Sequence, residues 1–152
     1  MTDNDQLQEL IHIEAIKQLK ARYFRLMDLK QWDEWGMVFT ADCVMEVPEA
    51  DLVNTGRAEI VSNVSGALVG ARTCHHGHMP EIEIAGDGTA RGIWAMFDYV
   101  EWAEQDGTRV GLQGYGHYRE EYEREDGEWR IARTRLERLR VDSLGAVPDL
   151  PS

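Results

Sequence analysis

Three Asp-Gly pairs, Asp87-Gly88, Asp106-Gly107 and Asp126-Gly127, divide the second half of the chain into four long runs of alternating apolar, aromatic and β-branched residues. An Asp-Gly pair between such runs is a strong hairpin signal, because both residues tolerate the left-handed backbone that a tight turn requires. The spacing predicts four consecutive antiparallel strands over roughly 74 to 85, 89 to 103, 108 to 124 and 128 to 141, well beyond the usual ~5 to 6 residues. Strands that long must twist and curl, and Gly92, Gly111, Gly114 and Gly116 offer places to bend or bulge.

A curved sheet has one concave face to bury, and the first half of the chain supplies what can cover it. From Asp5 to Leu29 apolar residues recur at three-to-four spacing (Leu7, Leu10, Ile11, Ala15, Ile16, Leu19, Tyr23, Leu26, Met27), the stripe of an amphipathic helix. Asp3 or Asn4 is placed to cap it. A second, short helix is predicted over "QWDEWGMVF", where Trp32, Trp35 and Phe39 share a face. "TADCVMEV" then reads as extended, and a third helix is predicted over "GRAEIVSNVSGAL". The expectation is an α+β fold: a cone-shaped barrel in which N-terminal helices pack on a strongly curved antiparallel sheet and leave a pocket at the open end. A length of 152 residues suits one domain over 1–152, with the tail "SLGAVPDLPS" detached from it.

The formal charge of −12 repels phosphate backbones and anionic lipid, so nucleic acid and membrane are not expected partners. Cys43 and Cys74 are too few for a disulfide framework and read as buried thiols in a reducing compartment. The acidic N-terminus lacks a signal-like apolar run, and a cytoplasmic location is expected.

"TCHHGHMPEI" places His75, His76 and His78 within four positions. On a strand His76 and His78 share one face and His75 takes the other, which argues against a three-histidine metal site; no Cys pair or HExxH pattern is present. A single pocket-facing histidine could act as a base if a carboxylate steadied its conjugate acid; the alternative is a buried imidazole satisfied by the backbone. Asp28, at the end of the first helix, is poorly placed for the helix dipole and reads either as such a partner or as a solvated turn residue. Asp98 interrupts the apolar strand "GIWAMFDYV" on the face of Trp94 and Met96. It either guards an edge or points into a cavity and needs a partner. Arg138, in the arginine-rich "RTRLERLR", could be that partner or part of a solvated face.

"IEAIKQLKARYFRLMDLKQWDEW", "HHGHMPEIEI", "GIWAMFDYV" and "EEYEREDGEWRI" resemble, in the same order, segments of the bacterial bile-acid 7α-dehydratases. These belong to the SnoaL-like part of the nuclear transport factor 2 superfamily, together with scytalone dehydratase, a hexachlorocyclohexane dehydrochlorinase, steroid Δ-isomerases and polyketide cyclases. The resemblance covers most of residues 11 to 138. It implies a cone with a His-Asp pair in its pocket, and it puts the family's tyrosine at Tyr23, its aspartate at Asp28, its histidine at His75 and its later acidic and basic positions at Asp98 and Arg138. The segment from Val44 to Arg72 and the tail after Arg138 depart from that family and are expected to shape the pocket mouth.

The resemblance implies a cofactor-independent dehydratase, with no metal, acting on a small hydrophobic polycyclic carbonyl compound such as a 3-oxo-4-ene steroid or bile-acid derivative, as a free acid or a coenzyme A thioester. His75 would be the base, Asp28 its orienting partner, Tyr23 a hydrogen-bond donor to the departing hydroxyl or developing enolate, Asp98 a second acid/base and Arg138 a positioning charge. An isomerase or cyclase of the same fold, and a non-catalytic small subunit or binding module as in ring-hydroxylating oxygenases, are the alternatives. Homo-oligomerisation, as a trimer, is expected from the same resemblance, with Trp102, Tyr118 and Tyr122 on the outer face of the sheet as its interface.

Overall fold

The computed structural model describes residues 2–148. Helix α1 spans Asp3–Asp28, α2 Trp32–Gly36 and α3 Arg57–Ala67; the strands are β1 (Phe39–Val47), β2 (Leu52–Thr55), β3 (Arg72–Ile84), β4 (Thr89–Ala103), β5 (Arg109–Glu125) and β6 (Glu128–Ala146). The six strands form one sheet in the order β2-β1-β6-β5-β4-β3. The four expected strands are present and pair antiparallel as neighbours. The sheet is nevertheless mixed, because β1 runs parallel to β6 and carries the short β2 beyond it. A parallel pair needs a long crossover rather than a tight turn, so no local turn signal announces it.

The turns follow the Asp-Gly logic. Asp126 and Gly127 both have positive φ, 54° and 82°, and join β5 to β6 in two residues. The Asp87 and Asp106 carboxylates accept backbone hydrogen bonds from Thr89 and Thr108, pinning the other two turns. Curvature enters through register shifts at His78/Glu81, Gly111/Leu112, Tyr115/Gly116 and Glu121/Tyr122. At Gly116 a Cβ would run into the Glu137 carbonyl oxygen, so the bulge there admits only glycine. Gly92 marks a close approach: a Cβ would lie 3.1 Å from the Tyr122 ring.

On the concave face β4 presents Trp94, Met96 and Val100 and β5 presents Tyr118 and Tyr122, all buried at period two. Helix α1 covers them with Ile16, Leu19, Tyr23, Phe24 and Met27. A fully buried side chain of this size is worth about 1.5–3 kcal/mol over an exposed one, and this contact surface fixes the helix on the sheet.

Several expectations are corrected. Thr2, not Asp3 or Asn4, caps α1: its hydroxyl accepts from the Asp5 amide at 3.2 Å while the Asp5 carboxylate accepts from the Thr2 amide at 2.8 Å. Leu7, Leu10 and Ile11 follow the helical stripe but are exposed, because only the later turns of α1 meet the sheet. Helix α2 stops at Gly36, and Phe39 already belongs to β1; the predicted aromatic face survives as a stack, with Trp35 4.8 Å from the Phe39 ring. Cys74 is exposed, while Cys43 is buried. Tyr118 and Tyr122 lie in the core, and Trp102 lines a cavity on the concave side, so these three aromatics do not form an outer surface. Residues 143–146 extend β6 rather than hanging free, and the rest of the tail from 149 lies outside the described residues.

Candidate active site

The end of α1 is built to deliver one carboxylate. The helix closes with a Gln31 amide donating to the Leu26 carbonyl and a Lys30 amide donating to the Met27 carbonyl, with Lys30 in the left-handed region at φ 59°. That reversal is the Schellman arrangement with lysine where glycine is usual. It leaves Asp28, the last helical residue, against β3, the edge strand of the sheet.

At an edge strand, alternate backbone amides have no neighbouring strand. Asp28 satisfies one of them: its Oδ2 accepts from the His75 amide at 2.9 Å, and its Oδ1 lies 2.7 Å from His75 Nδ1. The Thr73 hydroxyl donates to the same Oδ1 at 2.8 Å, and Lys30 Nζ donates to the Thr73 oxygen at 2.7 Å. Burial pushes the Asp28 carboxyl up, but hydrogen bonds from the His75 ring and amide, the His75 charge and the Thr73 hydroxyl outweigh it. The group is held below its ordinary value of 3.8. In the neutral imidazole an ionised Asp28 facing Nδ1 fixes the proton on that nitrogen and leaves Nε2 with its lone pair. The imidazole is 8% exposed and lines the cavity.

His75 stands opposite Asp98 in the β3–β4 register, so their side chains share the concave face. Asp98 Oδ2 lies 2.5 Å from Arg138 NH2, and Arg138 NH1 is 2.7 Å from Glu49 Oε1 in the turn after β1. Gly114, opposite Asp98 on β5, makes room for this pair: a Cβ there would collide with Asp98 Oδ1 and sit 2.7 Å from Arg138 Nε. Those same two atoms, Asp98 Oδ1 and Arg138 Nε, are buried without a hydrogen-bond partner.

Tyr23, His75, Asp98 and Arg138 line one cavity of about 320 Å³, and Asp28 supports it from behind the His75 ring. Its remaining wall is largely apolar, with Met27, Leu68, Val100, Trp102 and Leu136 among the lining residues. Burial, with contributions from Tyr118 and Glu120, pushes the Tyr23 phenol well above its ordinary value, so it is a neutral donor at physiological pH. His76 and His78 lie together on the other face of β3, their rings 6.0 Å apart, and the His76 ring is 5.9 Å from Phe97. Among the described residues no group of three or more His, Cys, Asp or Glu side chains is arranged to hold a metal ion, and no helix is long and apolar enough to cross a membrane.

All five sequence-predicted residues are therefore brought to one cavity or its wall. Sequence reasoning missed Thr73, Lys30, Tyr118 and Gly114. Thr73 had a signal, being two positions before His75 on the same strand face, and so had Tyr118, four positions after Gly114 in the inward phase of β5.

N-terminal helices packed on a curved six-stranded mixed sheet around a cavity make a nuclear transport factor 2-like cone. The profile of the SnoaL-like domain matches residues 8–135, and the chain belongs to that family. Among solved structures, a candidate scytalone dehydratase from Novosphingobium aromaticivorans superposes with a TM-score of 0.80 at 21% identity, over 95% of this chain and 97% of that one. A type 2 hexachlorocyclohexane dehydrochlorinase, LinA, superposes with 0.83 at 18% identity, over 96% and 97%. A single-substitution variant of Rv3472, a Mycobacterium tuberculosis protein of unknown function, is 29% identical over 92% of this chain and 78% of its own, with a TM-score of 0.75.

Proposed function

We propose that the protein is a dehydratase that eliminates water from a hydrophobic, polycyclic carbonyl compound, a 3-oxo-4-ene steroid or bile-acid derivative carrying a 7-hydroxyl group. The observation that carries this reading is the His75–Asp28 pair, held by further hydrogen bonds from the His75 amide and the Thr73 hydroxyl and set into the wall of an otherwise largely apolar cavity. His75 Nε2 takes the proton from the carbon made acidic through the conjugated enone, and the electron pair moves onto the carbonyl oxygen as a dienolate. Asp28 stabilises the imidazolium that forms. Tyr23 donates to the developing oxyanion. Collapse of the dienolate expels the hydroxyl group, which leaves as water with the proton returned by His75, and a further conjugated double bond remains. Arg138, held between Asp98 and Glu49, anchors the polar end of the cavity.

The scytalone dehydratase-like and dehydrochlorinase neighbours support a lyase-type activity for this fold. An open cavity lined by Tyr23, His75, Asp98 and Arg138, with Asp28 behind the His75 ring, favours an enzyme over a non-catalytic subunit. The test is incubation of the protein with a panel of 7-hydroxylated steroid and bile-acid enones, followed by absorbance of the extended chromophore and product mass. Loss of about 18 mass units, the mass of one water, is the outcome expected of general-base dehydration. A product of unchanged mass would make the enzyme an isomerase, and inertness across the panel would sink the substrate class.

A further inference from the structure

Beneath the cavity floor lies a charge that the proposed reaction does not use. Lys20, fully buried on α1, places Nζ 2.5 Å from Glu120 Oε1 on β5. The carboxylate is held from behind: Thr134 donates to Oε1 at 2.8 Å and Tyr122 to Oε2 at 2.6 Å, and the Trp94 indole donates to the Tyr122 oxygen at 2.8 Å. The ammonium is simultaneously 3.8 Å from the centroid of the Tyr23 ring and 3.7 Å from that of Tyr118. Both tyrosines line the cavity, and their rings meet edge to face with centroids 6.0 Å apart. Two aromatic walls of one cavity thus share one cation against their faces.

A buried ion pair adds little to stability compared with apolar residues of the same volume, so folding alone does not account for this choice of residues. A cation on the face of a phenol ring does have a chemical effect: it draws electron density from the ring and makes the hydroxyl a stronger donor, and in a desolvated site the interaction is at its strongest. We infer that Lys20 is a positioning residue that strengthens Tyr23 and Tyr118 as a pair of hydrogen-bond donors to an oxyanion formed in the cavity, with Glu120 keeping the ammonium charged and in place. Tyr118 joins Tyr23 as a residue touching the substrate oxygen. This rests on the reading of the cavity as an enolate-forming site.

The test uses binding rather than turnover, so that it can fail separately from the proposed function. A series of 2-naphthols graded in acidity, with the 2-naphthyl methyl ether as a control that cannot donate or ionise, is titrated into the wild type and into K20M/E120Q, a neutral pair of similar bulk. In the wild type, affinity should rise with naphthol acidity, since the bound oxygen mimics the oxyanion. In the double variant this dependence should flatten, with about tenfold loss for the most acidic naphthol and unchanged binding of the methyl ether; with a turned-over substrate, kcat should fall while KM stays. Y23F and Y118F keep the ion pair and each should flatten the same dependence, which tests the donor pair; if K20M/E120Q does not fold, K20Q/E120Q, a neutral pair that keeps hydrogen-bond partners for Thr134 and Tyr122, decides the role of Lys20. An acidity dependence equal in the wild type and the neutral-pair variant overturns the role of Lys20 and leaves the dehydratase reading standing. No dependence in the wild type overturns the donor pair itself, even if the enone panel is turned over.

Discussion

Two ion pairs, one buried and one half-buried, stand on the same concave face toward opposite ends of the sheet, and they are finished differently. At Lys20–Glu120 both carboxylate oxygens are hydrogen-bonded and neither side chain has any exposure. At Asp98–Arg138 one carboxylate oxygen and one guanidinium nitrogen are left without partners, the arginine reaches out to a partly exposed Glu49, and the pair borders the cavity. A fully satisfied network locks packing, whereas a pair with spare donors and acceptors at a cavity wall has capacity for a ligand. Within one sheet the closed end therefore has every polar atom of its pair satisfied and the open end keeps spare polar capacity beside the cavity, and the tyrosines that touch Lys20 are where the two meet.

Removing one partner at the closed end should have the largest effect. Lys20→Met alone strands the Glu120 carboxylate in the core and is expected to cost about 3–5 kcal/mol in equilibrium denaturation; a variant as stable as the wild type would mean that the pair is not sealed from water. Next in size, at the open end, His75→Ala should lower kcat about a hundredfold or more while the protein stays folded, and an unchanged rate would remove His75 from the mechanism. Gly114→Ala tests the seat of the second pair. Its Cβ must displace Asp98 or Arg138, so turnover should fall on the order of tenfold through mispositioning, with the circular dichroism spectrum retained.

The smallest effect is a pH dependence. Because the folded-state pKa of Asp28 is depressed, its contribution to stability is fully present at neutral pH and is lost as pH falls through the folded value, below 3.8. Stability measured from about pH 5 downward should thus fall less steeply in Asp28→Asn than in the wild type. Parallel curves would show that the carboxylate gains nothing from His75 and Thr73.

The sequence displays the two ends unequally. Hairpins β3 to β6 were legible because Asp-Gly turns and period-two alternation are local, and Asp28, His75 and Arg138 were legible because a family resemblance places them. The parallel β1–β6 pairing was not, since it joins residues about ninety positions apart and no local pattern encodes it. The Lys20–Glu120 network left a fainter trace. Lys20 falls in the helical stripe four positions after Ile16, and Glu120 falls in the inward phase between Tyr118 and Tyr122; two opposite charges, each at a core position, can survive there only by meeting. Asp28's grip on the edge of β3 depends on how α1 lies across the sheet, a tertiary relation that helix periodicity does not specify.

The position of β6 sets the order in which this molecule can be assembled. It is the last strand among the described residues, yet it lies between β1 and β5, and β2 reaches the sheet only through β1. Until β6 has docked, β1 and β2 have no sheet edge to join, however early they are synthesised. The hairpins β3 to β5 need only local closure, whereas joining β1 to β6 closes about ninety residues, the longest sequence separation within the sheet. Arg138 lies on that closing strand, and the polar end of the cavity is therefore completed in the same event that completes the sheet.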